Sequence, residues 1–332
     1  MFKRFRLTGL AFVFMLSMVL AACGGSGNGG DGGSANGGGE NTNEGTDTEE
    51  GNNAGSGGEL KLGEKKITLL GDNYQSATAS MVVAKQVLEN VGYDVEIKQV
   101  GVGTMFAGVA EGSADASLAV WLPHTHESYW KQYKDKLVKM GMLMEKVPLG
   151  LTVPTYMKDI NSIKDLTNNK NNIGEKLDWT LTGISPGAGE MKLTKNDVMP
   201  AYGLSDKWTL QQSSGPAMTA ALSDAIQNKE PIVVTLWKPH WAFVKWDLKI
   251  LKDPKNKYGD PDDVYAVARK GLKEDSPIAF KILSQFHWTK KQDEMVMLKM
   301  QQGMDPDKAA KQFVKKHQDL VKEWTKGIET TK

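Results

Sequence analysis

The chain has 332 residues, enough for one large domain or for two domains of ordinary size. Its 41 basic and 40 acidic residues leave a formal net charge of +1, a balance that argues against a nucleic-acid-binding surface. The single cysteine, Cys23, excludes an internal disulfide framework.

Residues 1–22 have the pattern of a signal peptide. Three basic residues stand near the start, and the apolar stretch from residue 7 to residue 20 is too short to span a bilayer comfortably. The string LAAC that ends at Cys23 is a bacterial lipobox. We therefore expect cleavage before Cys23 and lipidation of its thiol, with a transmembrane anchor as the alternative.

Residues 23–58, which follow the predicted cleavage site, have the composition of a linker. After the cysteine they consist almost entirely of Gly, Asn, Ser, Thr, Asp and Glu, with hardly any large apolar side chain. Such a segment cannot bury enough apolar surface to offset the entropy that is lost on ordering. We therefore expect it to be disordered.

The first half of the remaining chain alternates short apolar runs with helical patterns. Strands are predicted at Ile67–Leu70, Val95–Val100 and Ala116–Trp121, and helices at Thr78–Asn90 and Met105–Glu111. Strands that alternate with helices in this way favour βαβ units on a mainly parallel sheet.

The second half repeats this alternation. Strands are predicted at Thr180–Ile184, Trp208–Gln211 and Ile232–Trp237. Ser214 has the position of an N-terminal cap for a helix at Ala217–Asn228, with a proline near the first turn.

The string W-x-P-H ends both halves, at residues 121–124 and 237–240. A repeat of this scale predicts two similar α/β lobes that face each other across a cleft. We place the first lobe at residues 64–152 and the second at 153–261. A return crossover and C-terminal helices at 262–328 are expected to pack mainly on the first lobe.

Trp121 and Trp237 stand at the C-terminal ends of predicted strands, where sheets of this class present their ligand sites. A single tryptophan in such a place is more often a core residue, but two at equivalent positions favour a binding role. Tyr74, which follows the first strand, is a candidate third wall. Converging aromatic faces suit a quaternary ammonium ion, because it has no N–H to donate and is held by the ring quadrupole and dispersion.

The loop Ser185–Gly189 precedes a predicted helix and offers backbone N–H groups and the positive end of a helix dipole to a carboxylate. An ordinary glycine-rich turn explains the loop equally well. The same region contains the pattern G-x-S-x-G, so Ser185 is also a candidate hydrolase nucleophile. Pro186 weakens that hypothesis, because it removes an N–H that an oxyanion hole would use.

Two histidines, His124 and His126, precede Glu127 and raise the question of a metal site. Two histidines two residues apart, with one acidic neighbour, are a weak metal-binding pattern. A histidine in the cleft that donates a hydrogen bond to an anionic ligand explains His126 at least as well. We expect neither a metal nor a cofactor.

The stretches that carry the W-x-P-H strings and the glycine-rich loop are similar to a known family. They resemble the OpuAC/ProX-like substrate-binding proteins of glycine betaine ABC importers, which include choline and carnitine binders. The matching stretches are residues 112–126, 182–191, 214–222, 231–241, 284–289 and 323–327. The resemblance covers essentially everything from Lys65 to Gly327.

The resemblance implies a type II periplasmic-binding-protein fold, in which two Rossmann-like α/β lobes enclose a ligand cleft. It also implies an aromatic cage around the quaternary ammonium, formed here by Trp121, Trp237 and Tyr74. Many members of the family have a tryptophan where this chain has Tyr74, which leaves the identity of the ligand open among the betaines.

For the opposite end of the ligand, the resemblance implies contacts to a carboxylate. These contacts would come from the backbone N–H groups of Gly189 and Glu190 and from the side chain of His126.

The resemblance further implies a protein without catalytic activity, which captures glycine betaine or a related osmoprotectant and delivers it to a membrane permease with its ATPase subunit. Together with the lipobox, it implies a monomeric, lipid-anchored protein at the outer face of the cytoplasmic membrane. Two alternatives stay open: a choline or carnitine binder of the same type, and a secreted serine hydrolase that uses Ser185.

Overall fold

The computed structural model describes residues 61–328 of the chain. The predicted signal peptide, Cys23 and the predicted linker at residues 23–58 lie outside the described residues. Between residues 61 and 328, none of the helices has both the length and the apolar character needed to cross a membrane.

Ten strands and fourteen α-helices form within the described residues. The strands are β1 (Lys66–Asp72), β2 (Asp94–Val100), β3 (Ala116–Leu122), β4 (Leu137–Val147), β5 (Leu149–Pro154), β6 (Thr180–Thr182), β7 (Thr209–Gln211), β8 (Val234–Trp237), β9 (Leu248–Ile250) and β10 (Asp262–Arg269). The helices are α1 (Gln75–Val91), α2 (Val102–Ala110), α3 (Glu127–Tyr133), α4 (Ile163–Thr167), α5 (Ile173–Lys176), α6 (Gly189–Leu193), α7 (Met199–Tyr202), α8 (Gly215–Asn228), α9 (Ala242–Lys245), α10 (Leu272–Asp275), α11 (Pro277–Gln285), α12 (Lys290–Gln301), α13 (Pro306–Lys316) and α14 (Gln318–Trp324).

The strands form two five-stranded sheets with the same internal plan. The first has the order β2-β1-β3-β10-β4 and the second the order β7-β6-β8-β5-β9. In each sheet the first three strands run parallel, and the last two are joined by antiparallel pairings. The sheets therefore correspond strand by strand, so that β3 of the first sheet matches β8 of the second.

Each sheet is more mixed than the expectation of a mainly parallel sheet. The long strand β4 and the short strand β9, which the sequence analysis did not assign, lie at sheet edges and pair antiparallel. The boundary between the lobes also differs from the one expected at residue 152. Strand β5 starts at Leu149 and pairs with β8, so the chain passes into the second sheet immediately after Val147, where β4 ends.

Burial and capping explain why the elements that lead to the cleft form where they do. All seven residues of β3 are buried, as expected for a strand that is covered on both faces. Helix α1 ends at Gly92, whose φ of 113° is the left-handed conformation that glycine adopts at low cost. Helix α8 begins after Ser214, whose side chain accepts a hydrogen bond from the N–H of Ala217, as the sequence predicted.

The C-terminal helices cover the first sheet's side of the molecule. Helices α12 and α13 pack on α1, and α11 packs on β4. Trp324, in the last helix, has no exposed surface, and its ring centroid lies 4.5 Å from that of Phe286. Its indole Nε1 donates a hydrogen bond to the carbonyl of His287 at 2.8 Å. Helix α14 is thus anchored to the rest of the molecule by a buried aromatic pair.

Replacing Trp324 with alanine removes this buried side chain, and we expect it to lower the free energy of unfolding by about 3–5 kcal/mol. Urea denaturation of the mature chain, followed by circular dichroism, measures the change. Val244, whose side chain is 49% exposed, is the control, and Val244→Ala should change the free energy of unfolding by less than about 0.5 kcal/mol. A similar small effect at both positions would contradict the anchoring role of Trp324.

Candidate ligand-binding site

A small cavity lies where strands of both sheets end. The six residues that the family resemblance assigns to ligand binding line this cavity, and they are Tyr74, Trp121, His126, Gly189, Glu190 and Trp237. Asp72, Ser76, Val102, Thr125, Leu149, Ile184 and Ala188 complete its lining.

Three aromatic side chains from the two lobes form one end of the cavity. Trp121 lies in β3 next to its end, Trp237 is the last residue of β8, and both are more than nine-tenths buried. Tyr74 immediately precedes α1 and makes an edge-on contact with Trp237, with 5.0 Å between the ring centroids and 71° between the ring planes. Aromatic rings from opposite lobes therefore meet at this cavity, where ring faces attract a cation.

Backbone N–H groups stand at another part of the cavity, at the start of α6. Ala188 is the N-terminal cap, and its N–H donates to the carbonyl of Ser185 at 3.0 Å. The N–H groups of Gly189 and Glu190 belong to the first turn, which has no intrahelical acceptors for them. The helical backbone continues through a π-helical turn into α7 and ends at Tyr202, so its dipole favours an anion at Gly189.

His126 is buried and neutral, and its neighbours fix its tautomer. Its Nδ1 accepts a hydrogen bond from the backbone N–H of Trp121 at 3.1 Å. Burial, with a smaller effect of the Lys192 charge, lowers the pKa of His126 to about 3. Because Nδ1 is an acceptor in a neutral ring, the ring proton sits on Nε2. His126 can therefore donate one hydrogen bond to an anionic group without carrying a charge.

The loop that carries His126 is held by the return strand. The carboxylate of Asp262, the first residue of β10, accepts hydrogen bonds from the backbone N–H groups of His124 at 2.7 Å and Thr125 at 2.8 Å. Asp262 is buried, so these charge-assisted bonds are well shielded from water. The crossover from the second lobe thus positions a loop of the first.

Two buried carboxyl groups in the cavity lining escaped the sequence analysis. Asp72, the last residue of β1, was not considered, although its Oδ1 accepts a hydrogen bond from the N–H of Tyr74 at 3.1 Å. Glu190 was assigned only through its backbone. Burial raises the pKa of Asp72 to about 7 and that of Glu190 to about 8. A polar residue at the end of an apolar strand was the available signal for Asp72, whereas nothing in the sequence marked the Glu190 side chain as buried.

The two lobes touch closely beside the cavity. Tyr129 of the first lobe donates a hydrogen bond from its hydroxyl to the carbonyl of Gly187 at 2.9 Å, and its ring centroid lies 3.7 Å from Nζ of Lys192. Gly189 approaches Thr125 so closely that a Cβ atom at residue 189 would lie 2.0 Å from the Thr125 carbonyl oxygen. This is a closed arrangement of the lobes, and it requires a glycine at residue 189.

A sequence profile of the substrate-binding domain of ABC-type glycine betaine transport systems matches residues 65–316. The chain belongs to this family. The match covers both sheets and all the residues that line the cavity.

Individual members of the family are also similar to this chain. The glycine betaine/carnitine transport binding protein GbuC of Listeria monocytogenes is 47% identical over 160 residues, which are 48% of this chain and 53% of that protein. The match thus spans about half the length of that relative. Lactococcal OpuAC, crystallised in a closed conformation with glycine betaine, is 40% identical, with a TM-score of 0.74 over 79% of this chain and 100% of that chain. The glycine betaine, L-proline-binding protein ProX from Borrelia burgdorferi is 32% identical, with a TM-score of 0.73 over 78% of this chain and 96% of that chain.

These similarities confirm the predicted family and the predicted fold class of two α/β lobes around a cleft. The family consists of binding components of transporters and not of enzymes, so it does not support Ser185 as a hydrolase nucleophile.

The histidine pair has no metal-binding geometry. Among residues 61–328, no group of three or more His, Cys, Asp or Glu side chains could hold a metal ion. His126 uses Nδ1 to accept the Trp121 N–H, whereas the ring of His124 packs against Gly259, so close that a Cβ there would lie 2.5 Å from it. The two imidazole rings therefore contact different parts of the structure and do not form a common metal site.

Gly189→Ala should weaken the binding of glycine betaine, the ligand of the lactococcal relative, because the new methyl group collides with Thr125 and holds the lobes apart. We expect a loss of roughly tenfold to a hundredfold in affinity, as for an overpacked contact. Gly187→Ala is the matched control in the same loop, since a Cβ there has its nearest contact 3.9 Å away, at the Tyr129 hydroxyl. Calorimetric titration measures both affinities, and equal values for the two variants would contradict the close contact.

Proposed function

We propose that this protein is the extracytoplasmic substrate-binding protein of an ABC importer, which captures glycine betaine or a related quaternary ammonium osmoprotectant. It would deliver this ligand to a membrane permease that works with an ATPase subunit. The observation that carries the proposal is that aromatic rings and neutral hydrogen-bond donors line the same cavity and come from both lobes.

The aromatic end of the cavity would hold the quaternary ammonium group. Such a group has no N–H to donate, so ring faces and dispersion are the interactions open to it. Each cation–π contact contributes roughly 0.5–2 kcal/mol, depending on how far the cation is desolvated. Trp121, Trp237 and Tyr74 supply three such rings, of which Trp121 and Trp237 are almost fully buried.

The carboxylate of a betaine would bind at the start of α6. The N–H groups of Gly189 and Glu190 point out of the first helical turn, and Nε2–H of His126 adds a donor from the other lobe. A neutral histidine suits this task, because it donates a hydrogen bond without the desolvation penalty of a buried charge. The two ends of the cavity together match a zwitterion.

Ligand binding would favour the closed arrangement of the lobes. A betaine between Trp121 of the first lobe and Trp237 and Gly189 of the second contacts both lobes only when the cleft is closed. Differential affinity for the closed state then shifts the population toward it. The Tyr129–Gly187 hydrogen bond and the Lys192–Tyr129 contact would form in the same step.

The relatives support this choice of ligand class. One similar structure holds glycine betaine, and the names of two other relatives include glycine betaine with carnitine or with L-proline. A choline or carnitine binder of the same type is the alternative. Choline has no carboxylate and would not use the N–H groups of Gly189 and Glu190, which favours a betaine here.

We also propose that residues 1–22 are a signal peptide, and that Cys23 carries a lipid which holds a monomeric protein at the outer face of the cytoplasmic membrane. The lipobox at Cys23 supports this location, and it agrees with the role of a binding protein beside its permease. The high local concentration of a tethered carrier would favour repeated delivery.

Calorimetric titration with glycine betaine, proline betaine, carnitine, choline and proline tests the ligand class. We expect the betaines to bind tightly and proline, which is not a quaternary ammonium, to bind weakly. Choline should bind less tightly than glycine betaine, because the donors at Gly189 and His126 stay unused. Tight binding of choline without binding of any betaine would contradict the proposed ligand.

The same titration with Trp237 variants tests the aromatic end. Trp237→Ala should weaken glycine betaine binding by roughly tenfold or more, because it removes one ring from the cation. Trp237→Phe keeps a ring and serves as the control, with a smaller loss. An unchanged affinity of the alanine variant would remove Trp237 from the site.

Cys23→Ser should abolish lipid attachment in a bacterial host that lipidates exported proteins. The wild-type chain is expected to incorporate labelled palmitate and to sediment with membranes, whereas the variant should be unlabelled and released. Ser26→Ala, three residues later, is the control and should behave as the wild type. Absence of label from the wild-type chain would disprove the anchor.

A further inference from the structure

Glu190 is a buried acid at the part of the cavity where an anion is expected to bind. The residue is only 3% exposed, and the polar groups nearest its carboxyl oxygens are the backbone N–H groups of Leu236 and Gly150, neither of which forms a hydrogen bond of good geometry with it. The residue nevertheless lines the cavity, and its own backbone N–H is one of the donors at the start of α6. A buried carboxyl group with such weak polar contacts and no basic partner requires an explanation, because burying it costs free energy.

The surroundings of Glu190 contain few charges that could stabilise its ionised form. The titratable groups that face Glu190 or share the cavity come from several segments. They are Asp72 and Tyr74 from β1 and the loop after it, His126 from the loop after β3, Tyr258 from the loop between β9 and β10, and Lys192 from its own helix. His126 is neutral, and the ammonium group of Lys192 sits on the ring of Tyr129.

Glu190 lies close enough to both tyrosines for its charge to matter to them. Burial is the main cause that raises the pKa values of Tyr74 and Tyr258, and the charge of Glu190 raises both further, with Asp72 also acting on Tyr74. Tyr74 belongs to the aromatic end of the cavity and to the opposite lobe. A charge on Glu190 is therefore felt across the whole cavity.

Burial is the main reason why Glu190 keeps its proton at neutral pH. It raises the pKa of Glu190 to about 8, although the backbone of Leu236 and Gly150 acts in the opposite direction. Glu190 is thus neutral below this pH and adds a negative charge to the cavity above it, whereas Asp72, whose pKa is about 7, ionises at a lower pH. The charge of Glu190 would sit within one side-chain length of the N–H groups at the start of α6.

We propose that the protonation state of the Glu190 side chain determines which class of quaternary ammonium ligand the cavity accepts. Neutral Glu190 leaves the N–H groups of Gly189 and Glu190 free to receive the carboxylate of a betaine. Ionised Glu190 repels that carboxylate and attracts a cation that has none, such as choline. This inference rests on the proposed function, and it adds a specificity-determining residue to the same site.

The direction of proton exchange on binding should differ between the two ligands. A betaine carboxylate near Glu190 raises the pKa of its side chain, so betaine binding should take up a fraction of a proton around pH 8–9. Choline lowers that pKa, so its binding should release a fraction of a proton. Above pH 8, betaine affinity should fall by up to about tenfold per pH unit, while choline affinity should rise.

Calorimetric titration of the mature chain with glycine betaine and with choline, from pH 6 to pH 9.5, tests this inference. Wild-type protein should lose roughly tenfold in betaine affinity between pH 7 and pH 9. Glu190→Gln is neutral at every pH, so it should lose the fall in betaine affinity above pH 8, where Asp72 is already ionised. Asp72→Asn is the matched control for the other buried acid of the cavity, and it should retain the loss above pH 8.

Titration of the wild type at pH 8.5 in buffers of different ionisation enthalpy measures the proton exchange directly and needs no variant. Uptake with betaine and release with choline support the inference. Equal exchange for the two ligands, or the same pH dependence in Glu190→Gln as in the wild type, would overturn it. If neither ligand binds at any pH, the proposed function itself is wrong and the inference falls with it.

Discussion

The cavity depends on one constraint, which is that the ends of strands from two separate sheets meet at a common cleft. The first lobe contributes Tyr74, Trp121 and His126, and the second contributes Gly189 and Trp237. Neither set encloses a small ligand alone. The edge-on contact between Tyr74 and Trp237 and the close approach of Gly189 to Thr125 therefore complete the site only when the lobes are together. The rest of the fold keeps these two strand ends aligned.

A second property of the site is that burial shifts its ionisable groups toward their neutral forms. Burial acts in the same direction on all of them, lowering the pKa of His126 and raising the pKa values of Asp72 and Glu190. A zwitterion carries both of its charges into this neutral environment, where rings and N–H dipoles solvate them. Electrostatic interactions are stronger in such a water-poor cavity than at the surface. Specificity then depends on the arrangement of dipoles more than on fixed charges.

Much of this arrangement could be predicted from the sequence, because the W-x-P-H strings mark equivalent strand ends in both halves. The strings located Trp121 and Trp237, and the family resemblance added His126 and the N–H groups of Gly189. The edge strand β4 was missed, because it pairs with β10, which lies more than a hundred residues later in the sequence. No local sequence pattern predicts a pairing between strands so far apart. The burial of the Glu190 side chain was missed for a related reason. Glutamate is almost always exposed, and the strands β5 and β8 that pack around this one are distant from it in the sequence.

Trp121 has two functions that are linked through its own backbone. Its ring lines the aromatic end of the cavity, while its N–H and carbonyl bond to Nδ1 and to the N–H of His126 at 3.1 and 3.0 Å. Under the proposed assignment, the wall for the cation and a donor for the anion are joined rigidly within six consecutive residues. The first lobe would then fix the distance between the two charges of a bound zwitterion. A ligand with a longer spacer has to bend, or to shift at one end, before the second lobe can close over it.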